Sequence, residues 1–202
     1  MTVHEPLGER TKDSMKKFTR AIAIVALAAV PVVGLSAAPA GAKTVTPQKW
    51  ATGFCTALSD WQDTIKGAST DVSAALADTT DLASGKTTLV NFLSQAIDAT
   101  DTAIADVKAA GVPKTTNGAK IQAALIKGFG KAKTIFTKAE SDSETLSTDD
   151  AASFSTQASA IGQQIQDSAG EIDTAFGQID KLDKGGKLDK VVKASKACSF
   201  LG

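Results

Sequence analysis

Tyrosine is absent from the 202 residues, and three other types are nearly so: His4 is the one histidine, Met1 and Met15 the methionines, Arg10 and Arg20 the arginines. All of these fall within the first 20 residues, so from residue 43 onward the chain has no His, Arg, Met or Tyr. Without histidine, neither Ser–His nor Cys–His nucleophile pairs can be assembled there. A carboxylate-bridged metal pair inside a helical bundle draws on Glu-x-x-His, and the glutamates of this region are only Glu140, Glu144 and Glu171. No Ser-x-x-Lys pair has a supporting feature beside it. We therefore expect a protein that is not an enzyme and needs no cofactor or metal. Lacking arginine, and with no exposed-looking aromatics near its lysines, it is not expected to bind nucleic acid.

Long apolar runs are scarce too. The one candidate, Ala21 to Leu35, is interrupted by Pro31 and falls short of the roughly 20 residues a membrane span needs. It follows the basic residues Lys16, Lys17 and Arg20 and precedes Pro39-Ala40-Gly41-Ala42. That order reads as a secretory signal peptide cleaved after Ala42, so residues 1–42 are expected to leave the folded protein. Retention as an anchor is the alternative, and Met15 is an alternative start. No cysteine near residue 42 invites lipid modification, and the last residues show no wall-sorting pattern. We expect a free product, secreted or associated with the cell envelope, with no stable membrane span once the leader is gone.

What remains, 43–202, is one domain's worth of chain, enough to bury about 70% of its unfolded surface. It holds 17 Lys against 19 Asp plus Glu, a net charge of −2. Two cysteines in an exported chain permit one intramolecular pairing, Cys55 with Cys198. Closing so long a loop stabilises by roughly 4–5 kcal/mol in the chain-entropy model.

Apolar spacing predicts helices throughout. Trp50, Phe54, Leu58, Trp61, Ile65, Ala68, Val72, Ala75 and Leu76 recur at steps of three and four, with Thr46 as N-cap, Pro47 in the first turn and Cys55 at the edge of the stripe. This helix is expected to end near Ser84-Gly85. A second, from about Thr87 to Ala110, buries Leu89, Phe92, Leu93, Ala96, Ile97, Ala103, Ile104 and Val107, and Gly111-Val112-Pro113 stops it. A third, about Ala119 to Ser141, carries Ile121, Leu125, Phe129, Ala132, Ile135, Phe136 and Ala139. A fourth starts after Ser147 or Thr148 and runs to about Asp180, with Ala158, Ile165, Ile172 and Ile179 seven apart and Phe154, Ile161, Ala169 and Phe176 beside them. After Gly185-Gly186 a short fifth helix reaches Cys198. No segment alternates at period two, so no sheet is expected. The fold class is all-α: an antiparallel four-helix bundle plus a short C-terminal helix, closed by one disulfide.

Four patterns invite a functional reading. Gly85-Lys86-Thr87 resembles the end of a phosphate-binding loop but lacks the earlier glycine, since position 80 is Thr80, and reads as a turn between helices. Asp142, Glu144, Asp149 and Asp150 do not match a calcium loop and read as solvated acids capping a helix. Trp50 and Trp61 align with Phe54 and Ile65, which favours core packing over ligand stacking. Lysines recur every third residue from Lys181 through Lys184, Lys187, Lys190 and Lys193 to Lys196, so residues 181–202 carry +4 against −6 for 43–180. Lys187, Lys190 and Lys193 are the candidate contacts for an anionic envelope polymer, lipid head groups or another envelope protein. A step of three drifts about 60° per lysine, which spreads the charge around a helix.

Phe54-Cys55 with Trp61, Ala110-Gly111-Val112-Pro113 followed by Asn117-Gly118, and Ala197-Cys198 together give a layout that resembles small exported helical proteins of high-GC Gram-positive bacteria. The likeness covers most of 43–202 and implies a helical, exported protein. It brings no activity and no site residues with it. The high lysine content and missing arginine depart from the Arg- and Ala-rich style of that group. The leading expectation is a non-catalytic interaction module; the alternative is a carrier of an apolar small molecule or lipid held between the helices.

Overall fold

The computed structural model describes residues 43–77, 81–183 and 185–201, without the side chains of 71, 73–77, 167–169, 171–173, 175 and 176. The expected leader, 1–42, lies outside the described residues, as do the side chains of Ala75, Leu76, Ala169, Ile172 and Phe176. Four long helices follow one another: α1 (Pro47–Ala77), α2 (Leu82–Ala109), α3 (Gly118–Glu144) and α4 (Ala151–Leu182). A short α5 (Lys187–Ala194) and a 3-10 turn (Lys196–Leu201) complete them. Successive long helices pack side by side in chain order, while α5 and the 3-10 turn lie on α1. The all-α bundle closed by one disulfide is the observed architecture. Among the described residues, no helix is long and apolar enough to cross a membrane.

Polar residues at the helix ends set the boundaries. Thr46 opens α1 as expected, its Oγ1 accepting from the Lys49 amide at 3.3 Å. The starts of α2 and α4 differ from the spacing-based ones. Asp81 caps α2 by accepting from the Ser84 amide at 2.9 Å, so Ser84 and Gly85 lie inside the first turn of α2 rather than at the end of α1. Asp150, extended at φ −146°, caps α4 through the Ser153 amide at 2.8 Å, so the helix starts two or three residues later than Thr148 or Ser147 would place it. A carboxylate one bond shorter than glutamate reaches the amide two or three residues on, which makes aspartate a strong start signal. Ser195 is extended and ends α5, so Cys198 sits in the 3-10 turn and not in the fifth helix.

A two-residue parallel pairing, absent from the sequence reading, joins β1 (Thr44–Val45) to β2 (Val112–Pro113). The Val112 amide donates to the Lys43 carbonyl at 2.9 Å and the Lys114 amide to the Val45 carbonyl at 2.8 Å. So short a ladder leaves no period-two signature. Gly111 makes it possible: its φ of +83° suits glycine, and a Cβ there would stand 2.5 Å from the Lys43 carbonyl oxygen.

Two cores lie along the bundle, both built wholly from residues after 43. The first joins Trp50, Phe54, Cys55, Leu58, Val107, Ile121, Leu125, Phe129, Leu188 and Cys198. The second joins Val72, Leu89, Phe92, Leu93, Phe136, Leu146, Phe154 and Ile161. The half-buried Trp61 touches both, its ring edge-on to Phe129 at 5.6 Å and its Nε1 donating to Thr100 Oγ1 at 3.0 Å. Cys55, at the edge of the α1 stripe, is fully buried with Ala51, because α2 covers one flank of α1 and the 3-10 turn the other. The Cys55–Cys198 bond, at 2.04 Å, closes 143 residues of sequence.

Removing that bond in the double variant Cys55→Ala/Cys198→Ala is expected to cost roughly 2–5 kcal/mol in urea unfolding. Gly130 lies in α3 with nothing within 4 Å of where a Cβ would go. Gly130→Ala is therefore expected to add about 0.5–1 kcal/mol, raising the melting temperature by about 2–4 °C. Gly53 is the contrasting case: a Cβ there would meet the Ala110 Cβ at 2.9 Å, so Gly53→Ala is expected to bring no such gain.

Candidate functional site

Antiparallel alternation decides which charged side chains share an end of the bundle. Four contacts define one end. The Thr44–Val112 pairing ties the entry of α1 to the exit of α2, and Gly53 lies against Ala110. Asn117 Nδ2 donates to the Leu182 carbonyl at 2.6 Å, tying the start of α3 to the end of α4. The disulfide brings the 3-10 turn to the first half of α1. The Asn117 bond also satisfies one of the carbonyls left unpaired where α4 stops, which is why Asn117 precedes α3 without capping it.

This end gathers lysines from four separate parts of the sequence. Lys43 and Lys49 come from the entry of α1, Lys108, Lys114 and Lys120 from the α2–α3 connection, Lys181 from the end of α4, and Lys187, Lys190, Lys193 and Lys196 from the last 16 residues. All ten are exposed. The acids here are Asp106, Asp180, Asp183 and Asp189. Asp183 accepts from the Leu188 and Asp189 amides at 2.8 and 3.0 Å, capping α5, and Asp189 pairs with Lys193 at 2.9 Å. Cationic charge dominates what is left.

Lys187, Lys190 and Lys193 are brought together on this surface. Gly185 and Gly186, at φ +98° and +62°, break the chain before α5, and Ser195 ends it, so only three lysines of the run share one helix. Over three residues the drift is too small to carry them round. With Leu188 buried and Val191 and Val192 half-buried beneath, the three lysines occupy the solvent side. Lys184 lies outside the described residues. The lysines that sequence reasoning left apart, from Lys43 to Lys120, carry no periodic signal. Counting charge at alternate helix ends would have found them.

The opposite end is acidic. Asp81, Glu140, Asp142, Glu144, Asp149 and Asp150 collect there with Lys86 and Lys138. Lys86 belongs to α2 rather than a turn, and its Nζ donates to the Leu146 carbonyl at 3.2 Å. Asp142 accepts from Lys138 at 2.7 Å and from Gln164 at 2.9 Å, and these bonds hold its carboxyl below the usual value. The Ser153 amide does the same for Asp150. These acids thus serve α3 and α4 as partners and caps.

Two hollows mark the helix seams. One, of about 310 Å³, lies between α1 and α2 over Ala57, Trp61, Ala99 and Ala103, rimmed by the exposed Asp60, Thr64 and Asp98. The other, of about 180 Å³, is bordered by Trp50 and Phe54 from α1, Ile179 from α4, and Leu188 and Val192 from α5. Trp50 is buried and stacks on Phe54 at 5.0 Å, with its rings nearly parallel, as core packing requires. Trp61 is only half-buried and forms part of the larger hollow.

The fold and its surface define a disulfide-closed helical bundle with its charge divided between two ends. No protein-family model, curated protein or solved structure matches the chain.

A carboxyl whose pKa is lowered by folding stabilises above its ordinary pKa, near 4, and that contribution disappears as the pH falls through the lowered value. Asp150→Ala is therefore expected to lower the melting temperature at pH 7. In circular dichroism melts across a pH series, the gap to the parent should narrow below about pH 4.

Proposed function

We propose that this is an exported, non-catalytic interaction module that works through its lysine-rich end, meeting an anionic partner in or near the cell envelope. The observation that carries this reading is the convergence of ten exposed lysines, from four stretches of sequence, onto one end of the bundle. Clustered cations raise the local potential and draw in a polyanion, and the acidic far end orients the molecule as it approaches. The leader expected at residues 1–42 and the Cys55–Cys198 bond both suit life outside a reducing cytosol.

Size weighs against the carrier alternative for lipids. The hollow between α1 and α2 has about 310 Å³ and the one beside Trp50 about 180 Å³, and a cavity of about 150 Å³ is filled by a molecule the size of benzene. A lipid with its acyl chains outgrows both.

Inorganic polyphosphate serves as the test anion. The 43–202 unit is expected to bind it at about 0.05 M salt and to lose it progressively by about 0.5 M, where the Debye length falls well below 10 Å. Replacing Lys187, Lys190 and Lys193 together by Gln is expected to weaken binding at least about tenfold by calorimetry, with melting behaviour unchanged. Binding indifferent to both salt and the triple replacement would overturn the proposal.

A further inference from the structure

Among the described residues, two large apolar side chains are exposed, Phe200 at 38% and Leu201 at 47%. Both belong to the 3-10 turn that carries Cys198, on the flank of the lysine-rich end, with Lys196 at the start of the same turn. Leu201 borders the hollow shared with Val192 of α5. The disulfide ties Cys198 of this turn to α1, two and three residues before the exposed pair.

From this placement we infer that the anionic partner is a lipid bilayer, met by this end of the bundle, with Phe200 and Leu201 entering the headgroup layer and the lysines of the same end resting on anionic headgroups. The inference rests on the surface reading above and narrows it. A soluble polyanion offers the lysines a counter-charge but gives two exposed apolar side chains nothing to enter. An anionic bilayer satisfies both, through an apolar insertion at a lysine-rich end and a surface potential that attracts it. Since no described helix can span a membrane, the contact is peripheral and reversible. Asp180, Asp183 and Asp189 border the same hollow and keep their charge, but with Asp106 they make four aspartates against ten lysines, so this end stays cationic.

The test is co-sedimentation of the 43–202 unit with vesicles of phosphatidylcholine alone and of phosphatidylcholine with about one third phosphatidylglycerol. Binding is expected to the phosphatidylglycerol vesicles at about 0.1 M salt, to be absent from phosphatidylcholine, and to be reversed at about 1 M salt. Phe200→Ser/Leu201→Ser is expected to weaken vesicle binding about tenfold while leaving polyphosphate binding and the melting temperature unchanged. Phe200→Ser alone, which leaves the hollow beside Leu201 intact, should show a smaller loss in the same direction. Polyphosphate binding without vesicle binding, equal binding to both vesicle types, or vesicle binding untouched by the double replacement would each overturn the bilayer inference and leave the broader reading standing. Failure to bind either anion would remove both.

Discussion

The covalent tie between Cys55 and Cys198 is the constraint on which the arrangement of this molecule turns. Each long helix finds partners through its neighbours in the chain, but α5 has only eight residues and one buried side chain, Leu188. A helix of two turns does not hold itself together, because its nucleation cost is spread over too few hydrogen bonds. The tie supplies the missing constraint from its far side. It lays the 3-10 turn along α1, buries Ala51 and Cys55 on a flank that would otherwise face water, and joins α1 and α5 in one core with Trp50 and Phe54.

The same tie has an electrostatic consequence. The last stretch of chain holds much of the positive charge, and fastening it to the first half of α1 places that charge beside Lys43 and Lys49. Crowding like charges costs energy, moderated by exposure and salt. The bundle tolerates the crowding because the lysines are exposed, while the core and the covalent closure beneath them hold that end together. A segregated charge distribution adds little to the stability of a single molecule, but it gives the molecule an orientation in the field of a charged partner.

Much of the fold is legible residue by residue. Thr46-Pro47 marks a helix start because a hydroxyl cap and a pre-set φ both belong there, and the seven-residue spacing from Phe154 to Ile161 marks a buried seam. The errors are local and share a cause. Asp81 and Asp150 moved two helix starts because several polar residues in a row compete to cap, and backbone geometry selects among them. Thr100, Gln122 and Ser143 are buried although polar, since each bonds to a carbonyl or to a neighbouring side chain once the helices meet. Ala51 reads as neutral filler until a second element covers it. The candidate site was legible only in part: Lys187, Lys190 and Lys193 stand out as a run, whereas Lys108 or Lys120 is one solvated charge among many.

Composition and periodicity alone determined that this chain forms amphipathic helices, that one cysteine pairing is available to it, and that residues 43–202 hold no histidine. Those properties depend on residue type and on neighbours three or four positions away, which any linear reading contains. The tertiary structure decided the rest: that α1 is covered on both flanks, that a two-residue ladder closes one end, and that lysines far apart in the chain gather at one end of the bundle. The physical reason is that helix ends meet through antiparallel packing and one covalent bond across 143 residues, and proximity of that kind has no period for a sequence to display.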